Sequence, residues 1–254
     1  MKETKIMKVF EQYTKKFNMN KGNVKAMYFH SIKMMELCKS IATSLNVFTE
    51  EEIKVCGLIG LFHDISKFNN KNKSCTVLDD DNDCTRDTIN ILFNNEKIIR
   101  DITLDTSYDY IIKIAIYCHN KNGLPKGLDK KVLYFCMVLQ DAHVIENFRM
   151  IINYPYMDMY IDNFPSDLVY NTFRNYKVID SSISDNDADK ILEVMSSVFG
   201  LYYPCSYSLL KDEDCVNKLL NSLHINNKNI GKFFYQISNV MNMYIDRKIG
   251  GVNA

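Results

Sequence analysis

The sequence has few of the residues that interrupt helices. Its 254 residues include only 9 glycines and 4 prolines, although tight hairpin turns depend on these two residue types. Apolar residues instead recur at spacings of three and four, which is the period of a buried helix face. This pattern predicts an all-α protein, with C-terminal helices near residues 188–199, 212–223 and 229–249.

An excess of charge and a long apolar run are also lacking. Lysine plus arginine and aspartate plus glutamate are equal at 31 each, so we expect no binding of nucleic acid or of an anionic membrane surface. The longest apolar runs, such as residues 110–118, contain a lysine and fall well short of the roughly 20 residues that span a bilayer. Residues 1–16 show no apolar core of a secretory leader. We therefore expect a cytoplasmic protein that does not associate with membranes.

Five ionisable side chains fall on helix faces that are otherwise apolar. Predicted helices cover residues 24–45, 108–119 and 130–152, and a capping box of Thr49 and Glu52 begins another. A buried imidazole or carboxylate is costly unless it has a partner, and a divalent metal ion is a partner that takes both. The five side chains are those of His30, His63, Asp64, His119 and Asp141.

Each of these positions also has a simpler interpretation. A single histidine on an apolar face is more often a core residue with a satisfied hydrogen bond than a metal ligand. Neighbours in a regular helix point about 100° apart, so the adjacent pair His63 and Asp64 can bind one ion only where the helix ends or is distorted. Ser66 and the polar residues 69–74 predict an end there. The ordered set of histidine, His-Asp and aspartate is much stronger evidence than any single member.

The strongest turn signal in the chain lies at residues 121–129, which contain two glycines and a proline. This turn places Asn120, Lys121 and Lys126 near the end of the helix that carries His119, where they could meet an anionic ligand. The alternative interpretation is an ordinary solvated loop.

The order His, His-Asp, Asp resembles the signature of the HD-domain superfamily of metal-dependent phosphohydrolases. Residues 61–68, Leu-Phe-His-Asp-Ile-Ser-Lys-Phe, are similar to the family's LLHDIGRF-like segment. Residues 117–121 look like its second histidine motif, and residues 140–142 resemble the segment that supplies its last aspartate. The resemblance extends to a bacterial subgroup of small HD-domain proteins.

This resemblance implies a fold and a reaction. The fold is an HD-domain helical bundle with additional C-terminal helices, in a single HD-type domain over residues 1–254. Its core covers about residues 21–150, and a helical extension covers about residues 151–254. The reaction is hydrolysis of a small phosphorylated metabolite or nucleotide by attack of a metal-polarised water.

The resemblance also implies roles for individual residues, with one divalent metal ion (Mn, Fe, Ni, Co, Zn or Mg) as the cofactor. The implied metal ligands are His30, His63, Asp64 and Asp141. The implied substrate-binding residues are His119, Asn120 and Lys121, and the implied catalytic residues are Asp64 and Lys67. The implied partner is a small phosphorylated ligand.

Four positions depart from the family pattern and keep other functions open. Ser66 replaces the usual glycine, Cys84 takes the place of a further histidine, and His143 and Glu146 stand where relatives tend to have aspartates. A degenerate HD protein that binds a nucleotide, a phosphate ligand or a partner protein without turnover is one alternative. A di-iron oxygenase is another, although it needs about six ligands across two metals and Cys84 counts against it.

Overall fold

The computed structural model describes residues 1–69, 82–121, 123–153 and 160–251, and these are predominantly helical. The all-α prediction is confirmed, because the described part of the chain contains no strand and its one β contact is an isolated bridge between Tyr160 and His224. Most of the polar segment 69–74 lies outside the described residues. None of the described helices combines the length and apolarity needed to cross a bilayer.

The chain divides into two compact units, residues 1–143 and residues 144–254. Over its described residues, the first unit contains six complete helices, one 3-10 helix and the beginning of a seventh helix. Its elements are α1 Glu3–Thr14, α2 Gly22–Ser44, α3 Glu50–Phe62, the 3-10 helix Ile65–Asn69, α4 Asn82–Phe93, α5 Ile98–Ile102, α6 Asp109–Cys118 and the first part of α7 Lys130–Asn153.

Helices α2 and α3 pack closely against each other, and Gly60 makes that approach possible. A Cβ atom at Gly60 would lie 2.5 Å from the backbone oxygen of Met34 and 2.8 Å from Sγ of Cys38. Only a residue without a side chain fits this contact. On the α2 side of this contact, Met34 and Cys38 are completely buried, as close packing requires.

Helix α3 begins at the capping box that the sequence predicts. The Thr49 side chain accepts a hydrogen bond from the Glu52 amide at 3.3 Å, and the Thr49 amide donates to Glu52 Oε2 at 2.8 Å. The helix ends at Phe62, after which the backbone tightens into the 3-10 helix. The predicted helix end at His63 and Asp64 is therefore confirmed.

Helix α7 is anchored to the end of α6 by Gln140. The Gln140 side-chain amide donates to the carbonyl oxygens of Cys118, at 2.7 Å, and of Lys121, at 3.0 Å. Nearer the start of α7, the Phe135 ring packs edge-on against Phe48, with 5.0 Å between ring centroids. These contacts fix which face of α7 turns toward α6.

The second unit is also helical. Its core includes Phe173, Phe234 and Met241, all of which are buried. The elements are the rest of α7, α8 Asp167–Arg174, α9 Asp187–Ser196, α10 Pro204–Asp212, α11 Cys215–Ser222, α12 Lys228–Gly250, and the 3-10 helices Ser181–Ile183 and Ser197–Gly200. The helix predicted near residues 212–223 is α11, and it begins after Asp214, whose left-handed backbone conformation (φ 53°) separates it from α10.

Candidate metal centre

Four of the chain's five histidines meet in the first unit. The possible ligand atoms of His63, Asp64, His119 and His143 all lie within 4.8 Å of one another. A fourth histidine, His30 on α2, adjoins this group, with its Nε2 atom 3.4 Å from Nε2 of His63. We call His63, Asp64, His119 and His143 the four-residue cluster. Three separate elements supply it, namely the ends of α3 and α6 and the middle of α7.

Two of these histidines are oriented by the same local device. His63 and His119 are the C-cap residues of α3 and α6, where the last carbonyl oxygens of a helix lack an amide partner. Each ring binds a carbonyl of the last helical turn: Nδ1 of His63 donates to Gly60 O at 2.8 Å, and Nδ1 of His119 donates to Ile116 O at 2.6 Å. Ile116 O also accepts from the His119 amide. A carbonyl oxygen only accepts, so Nδ1 carries the hydrogen and Nε2 of the neutral ring presents a lone pair. Metal-binding histidines are held in this way.

Asp64 lies at the centre of the cluster and is 2% exposed. Its carboxylate oxygens are 3.3 Å from Nε2 of His63 and 3.5 Å from Nε2 of His119. The ammonium group of Lys67 lies 3.0 Å from the same carboxylate. Burial alone would raise the pKa of Asp64, but the nearby ammonium group of Lys67 holds that pKa well below its ordinary value. Asp64 is therefore an ionised carboxylate at neutral pH.

Burial keeps the other two histidines neutral. Desolvation, followed by the nearby His63, lowers the pKa of His30 to about 3. Desolvation and the neighbouring rings of His119 and His63 also hold the pKa of His143 well below its ordinary value. The neutral imidazole is the form that binds a metal ion.

The donor chemistry of the cluster fits a divalent cation. Lone pairs on Nε2 of His63 and His119 face the Asp64 carboxylate, an arrangement that is repulsive unless a metal ion or a proton lies between them. Nε2 of His119 and Nε2 of His143 are buried and have no hydrogen-bond partner among the described residues. Buried polar atoms nearly always have partners. Three imidazoles and one carboxylate are a ligand set for a borderline divalent ion.

Asp141 is buried, as its position on the apolar face predicts, and is 1% exposed. It lies on α7 two residues before His143 and outside the four-residue cluster. The role of Asp141 as a metal ligand stays a prediction.

The other predicted substrate-binding residues follow the cluster directly in the chain. Asn120 and Lys121 form the turn after α6, where Gln140 binds the Lys121 carbonyl oxygen. Nζ of Lys121 lies 3.5 Å from the ring centroid of the exposed Tyr117, and Oδ1 of Asn120 is buried without a hydrogen-bond partner among the described residues. The role of Asn120 and Lys121 in substrate binding stays a prediction.

Ser66 fits its backbone without the conformational freedom of glycine. It belongs to the 3-10 helix and has no positive φ angle. Its hydroxyl donates to Cys84 O at 2.8 Å and accepts from the Thr88 hydroxyl at 2.9 Å. Ser66 therefore joins the segment after His63 to α4.

His143 is the residue whose place sequence reasoning missed, because it appeared only as a departure from the family pattern. A signal was present in the spacing of polar residues. Gln140 and His143 are three apart on α7 and share a face, and Gln140 binds the end of α6 from which His119 projects. Polar residues that are three or four positions apart on one helix face are expected to contact the same neighbouring helix.

Residues 27–143 match the family model for the HD domain. The matched range begins within α2 and ends at His143, so it contains all of the site residues discussed above. No curated protein matches the chain, and no solved structure does.

Proposed function

We propose, from the match of residues 27–143 to the HD-domain family model, that the protein is a metal-dependent phosphohydrolase acting on a small phosphorylated metabolite or nucleotide. The observation that carries the proposal is the Asp64 carboxylate with two oriented imidazole nitrogens 3.3 and 3.5 Å away. This arrangement suits a bound cation, and a metal-polarised water is the usual nucleophile for hydrolysis of such esters.

The pair His63 and Asp64 would hold the ion, with His30 and Asp141 as the further ligands that the resemblance implies. A divalent ion bound there supplies Lewis acidity toward water and toward the phosphoryl oxygens. Asp64 is kept ionised by its neighbours, and Nδ1–H bonds to main-chain carbonyls fix the rings of His63 and His119 before any ligand arrives. Little reorganisation is then needed in the transition state.

The proposed role of Lys67 is to complement negative charge at two stages. Its buried ammonium group lies 3.0 Å from Asp64 and balances the carboxylate in the resting site. On the substrate side, Lys67 would donate to a phosphoryl oxygen, while His119, Asn120 and Lys121 would bind the remaining phosphate oxygens. Phosphate binding by lysine at close range is a charge-assisted interaction.

The contact between Lys67 and Asp64 also favours a second candidate function. An ammonium group 3.0 Å from the carboxylate is itself a cation that could neutralise the site. A protein in which Lys67 neutralises the charge of Asp64 without a metal ion could bind a nucleotide or phosphate ligand without turnover. Stabilisation by a nucleotide with no hydrolysis under any metal would support this candidate.

The deciding experiment combines elemental analysis with a phosphoester panel. The purified protein is expected to contain about one equivalent of a transition metal and to hydrolyse at least one phosphoester with added Mn, Ni, Co or Mg. Asp64→Asn should lower kcat/KM by more than about 100-fold, since even outer-sphere partners of metal ligands cost about 10- to 100-fold. Asp187→Asn, at an exposed position of α9, is the matched control and should retain activity. Full activity in Asp64→Asn would refute the proposal.

A further inference from the structure

We propose that His143 is a metal ligand of this protein and that it makes the site select a borderline transition-metal ion, such as Zn²⁺, Co²⁺ or Fe²⁺, over Mg²⁺. The inference rests on the metal-binding part of the proposed function. It does not depend on turnover, because its readout is the affinity and spectrum of the bound ion.

The first support is the position of the His143 ring. Its centroid lies 5.4 Å from that of His119 and 5.7 Å from that of His63, and it is nearly perpendicular to both rings (89° and 77°). A ligand atom of His143 lies within 4.8 Å of those of His63, Asp64 and His119. Atoms spaced in this way can surround one ion, whose bonds to nitrogen and oxygen are about 2.0–2.2 Å long.

The second support is the state of Nε2 of His143. This atom is buried and has no hydrogen-bond partner among the described residues. A buried polar atom without a partner is costly, because it has lost its hydrogen bonds to water and gained none in the protein. Ring packing against His119 and His63 gives that nitrogen no hydrogen bond, whereas coordination satisfies it.

The third support is the balance of donor atoms. His63, His119 and His143 contribute nitrogen, and Asp64 contributes the single oxygen of the cluster. Imidazole nitrogen suits Zn, Fe, Co and Ni, whereas Mg²⁺ prefers carboxylate, carbonyl and water oxygens. An aspartate in place of His143 would move the cluster from three nitrogens and one oxygen to two of each. Whether or not His30 and Asp141 also bind the ion, oxygen in place of nitrogen at residue 143 shifts the preference toward Mg²⁺.

The test titrates metal into the full-length, metal-stripped protein without substrate. Calorimetry gives the Kd values for Zn²⁺ and Mg²⁺, and visible absorption follows bound Co²⁺. His143→Phe keeps an aromatic ring at the position but removes the donor. We expect it to weaken Zn²⁺ binding by more than about 10-fold and to change the Co²⁺ spectrum, with an unchanged far-UV circular dichroism spectrum.

Two further variants separate coordination from packing. His224→Phe, in the second unit, replaces a histidine that stacks on Tyr160 at 5.2 Å and should leave both measurements unchanged. His143→Asp should still bind metal, but its preference for Zn²⁺ over Mg²⁺ should fall by more than about 10-fold. This variant decides the question if His143→Phe fails to fold.

The outcomes distinguish failure of this inference from failure of the proposed function. Wild-type Zn²⁺ affinity and an unchanged Co²⁺ spectrum in His143→Phe, or an unchanged ion preference in His143→Asp, would overturn the role of His143 alone. Metal binding that depends on His143 in a protein without phosphoester hydrolysis would support this inference and refute the proposed function. Absence of any metal binding by the wild-type protein would overturn both.

Discussion

At the residue scale, Gly60 links the packing of α2 against α3 to the positions of the histidines in the candidate metal site. It lets α3 lie against the backbone of α2 at Met34. On those two helices His63 is three residues after Gly60, and His30 is four residues before Met34. Each histidine is about one helical turn from the contact at Gly60. The 3.4 Å distance between their Nε2 atoms therefore depends on the close approach of α2 and α3.

Gly60→Ala tests this connection. The added Cβ would lie 2.5 Å from Met34 O, so the helices must separate, and we expect a loss of about 1–3 kcal/mol in the free energy of unfolding. Metal affinity should fall as well, because His30 and His63 move apart. Urea unfolding and calorimetric metal titration measure the two effects.

Gly231→Ala is the matched control for this prediction. Gly231 lies inside α12, and the nearest atom to its added Cβ is 3.9 Å away. Alanine stabilises a helix interior by about 0.5–1 kcal/mol relative to glycine, so this variant should be as stable as the wild type or more stable. Equal behaviour of the two variants would contradict the role given to Gly60.

At the element scale, α3 has distinct determinants at its two ends. Its start is defined by the capping box of Thr49 and Glu52, and three acidic residues lie in its first turn, where they interact favourably with the helix dipole. Its end delivers His63 to the cluster. Stability and ligand placement should therefore be separable by mutations at opposite ends of the helix.

Thr49→Ala is expected to lower the free energy of unfolding by about 1 kcal/mol, because a helix amide loses its cap. Metal affinity should be unchanged, since the end at His63 is not altered. Thr43→Ala is the control: Thr43 is exposed within α2 and its hydroxyl only back-bonds to Lys39 O at 2.8 Å, so its loss should be close to neutral. A fall in metal affinity in Thr49→Ala would show that the two ends are not independent.

The long elements were easier to predict than the short ones. The helix predicted over residues 130–152 is α7, Lys130–Asn153, and the one over 24–45 is α2, Gly22–Ser44. Helix α5, Ile98–Ile102, was not predicted, because five residues are too few for a periodic apolar face to be recognised. It is preceded by Lys97 with a left-handed backbone (φ 52°), a conformation that the lysine itself does not indicate.

At the scale of the whole molecule, the buried histidines connect the site to stability in acid. The pKa of His30 is about 3 in the folded protein and about 6.5 in an unfolded chain. Above pH 6.5 the ring is neutral in both states. As the pH falls below 6.5, the unfolded chain binds a proton that the folded protein excludes, so stability decreases down to the folded pKa. His143 acts in the same direction, because its pKa is also lowered.

We therefore expect the metal-free protein to be less stable at pH 5 than at pH 7, with about 2 kcal/mol of the difference from His30. Urea unfolding in the presence of a chelator at pH 5 and pH 7 measures this difference in stability. His30→Leu should reduce the dependence on pH, and His224→Gln should leave it unchanged. Constant or increasing stability between pH 7 and pH 5 would contradict the burial of neutral imidazoles.

Asp64 affects stability in a lower range of pH. Its folded pKa is depressed below the ordinary value, so its contribution is fully present above the unfolded pKa of about 3.9 and is lost as the pH falls through the folded value. The loss of stability between pH 7 and pH 5 therefore comes from the histidines. Asp64 contributes to a loss of stability only at lower pH.

The sequence by itself determined the helical class, the start of α3 and the burial of His30, His63, Asp64, His119 and Asp141. These properties follow from local patterns, since the apolar period identifies the buried face and the capping residues identify the helix ends.

The tertiary structure alone decided which of these side chains meet. His143 joined the cluster and Lys67 came to lie against Asp64 because Gly60 sets the approach of α2 to α3 and Gln140 fixes α7 against the end of α6. Periodicity reports the direction of a side chain from its own helix axis. Distances between side chains on different helices depend on how those helices pack, which is a property of several segments at once.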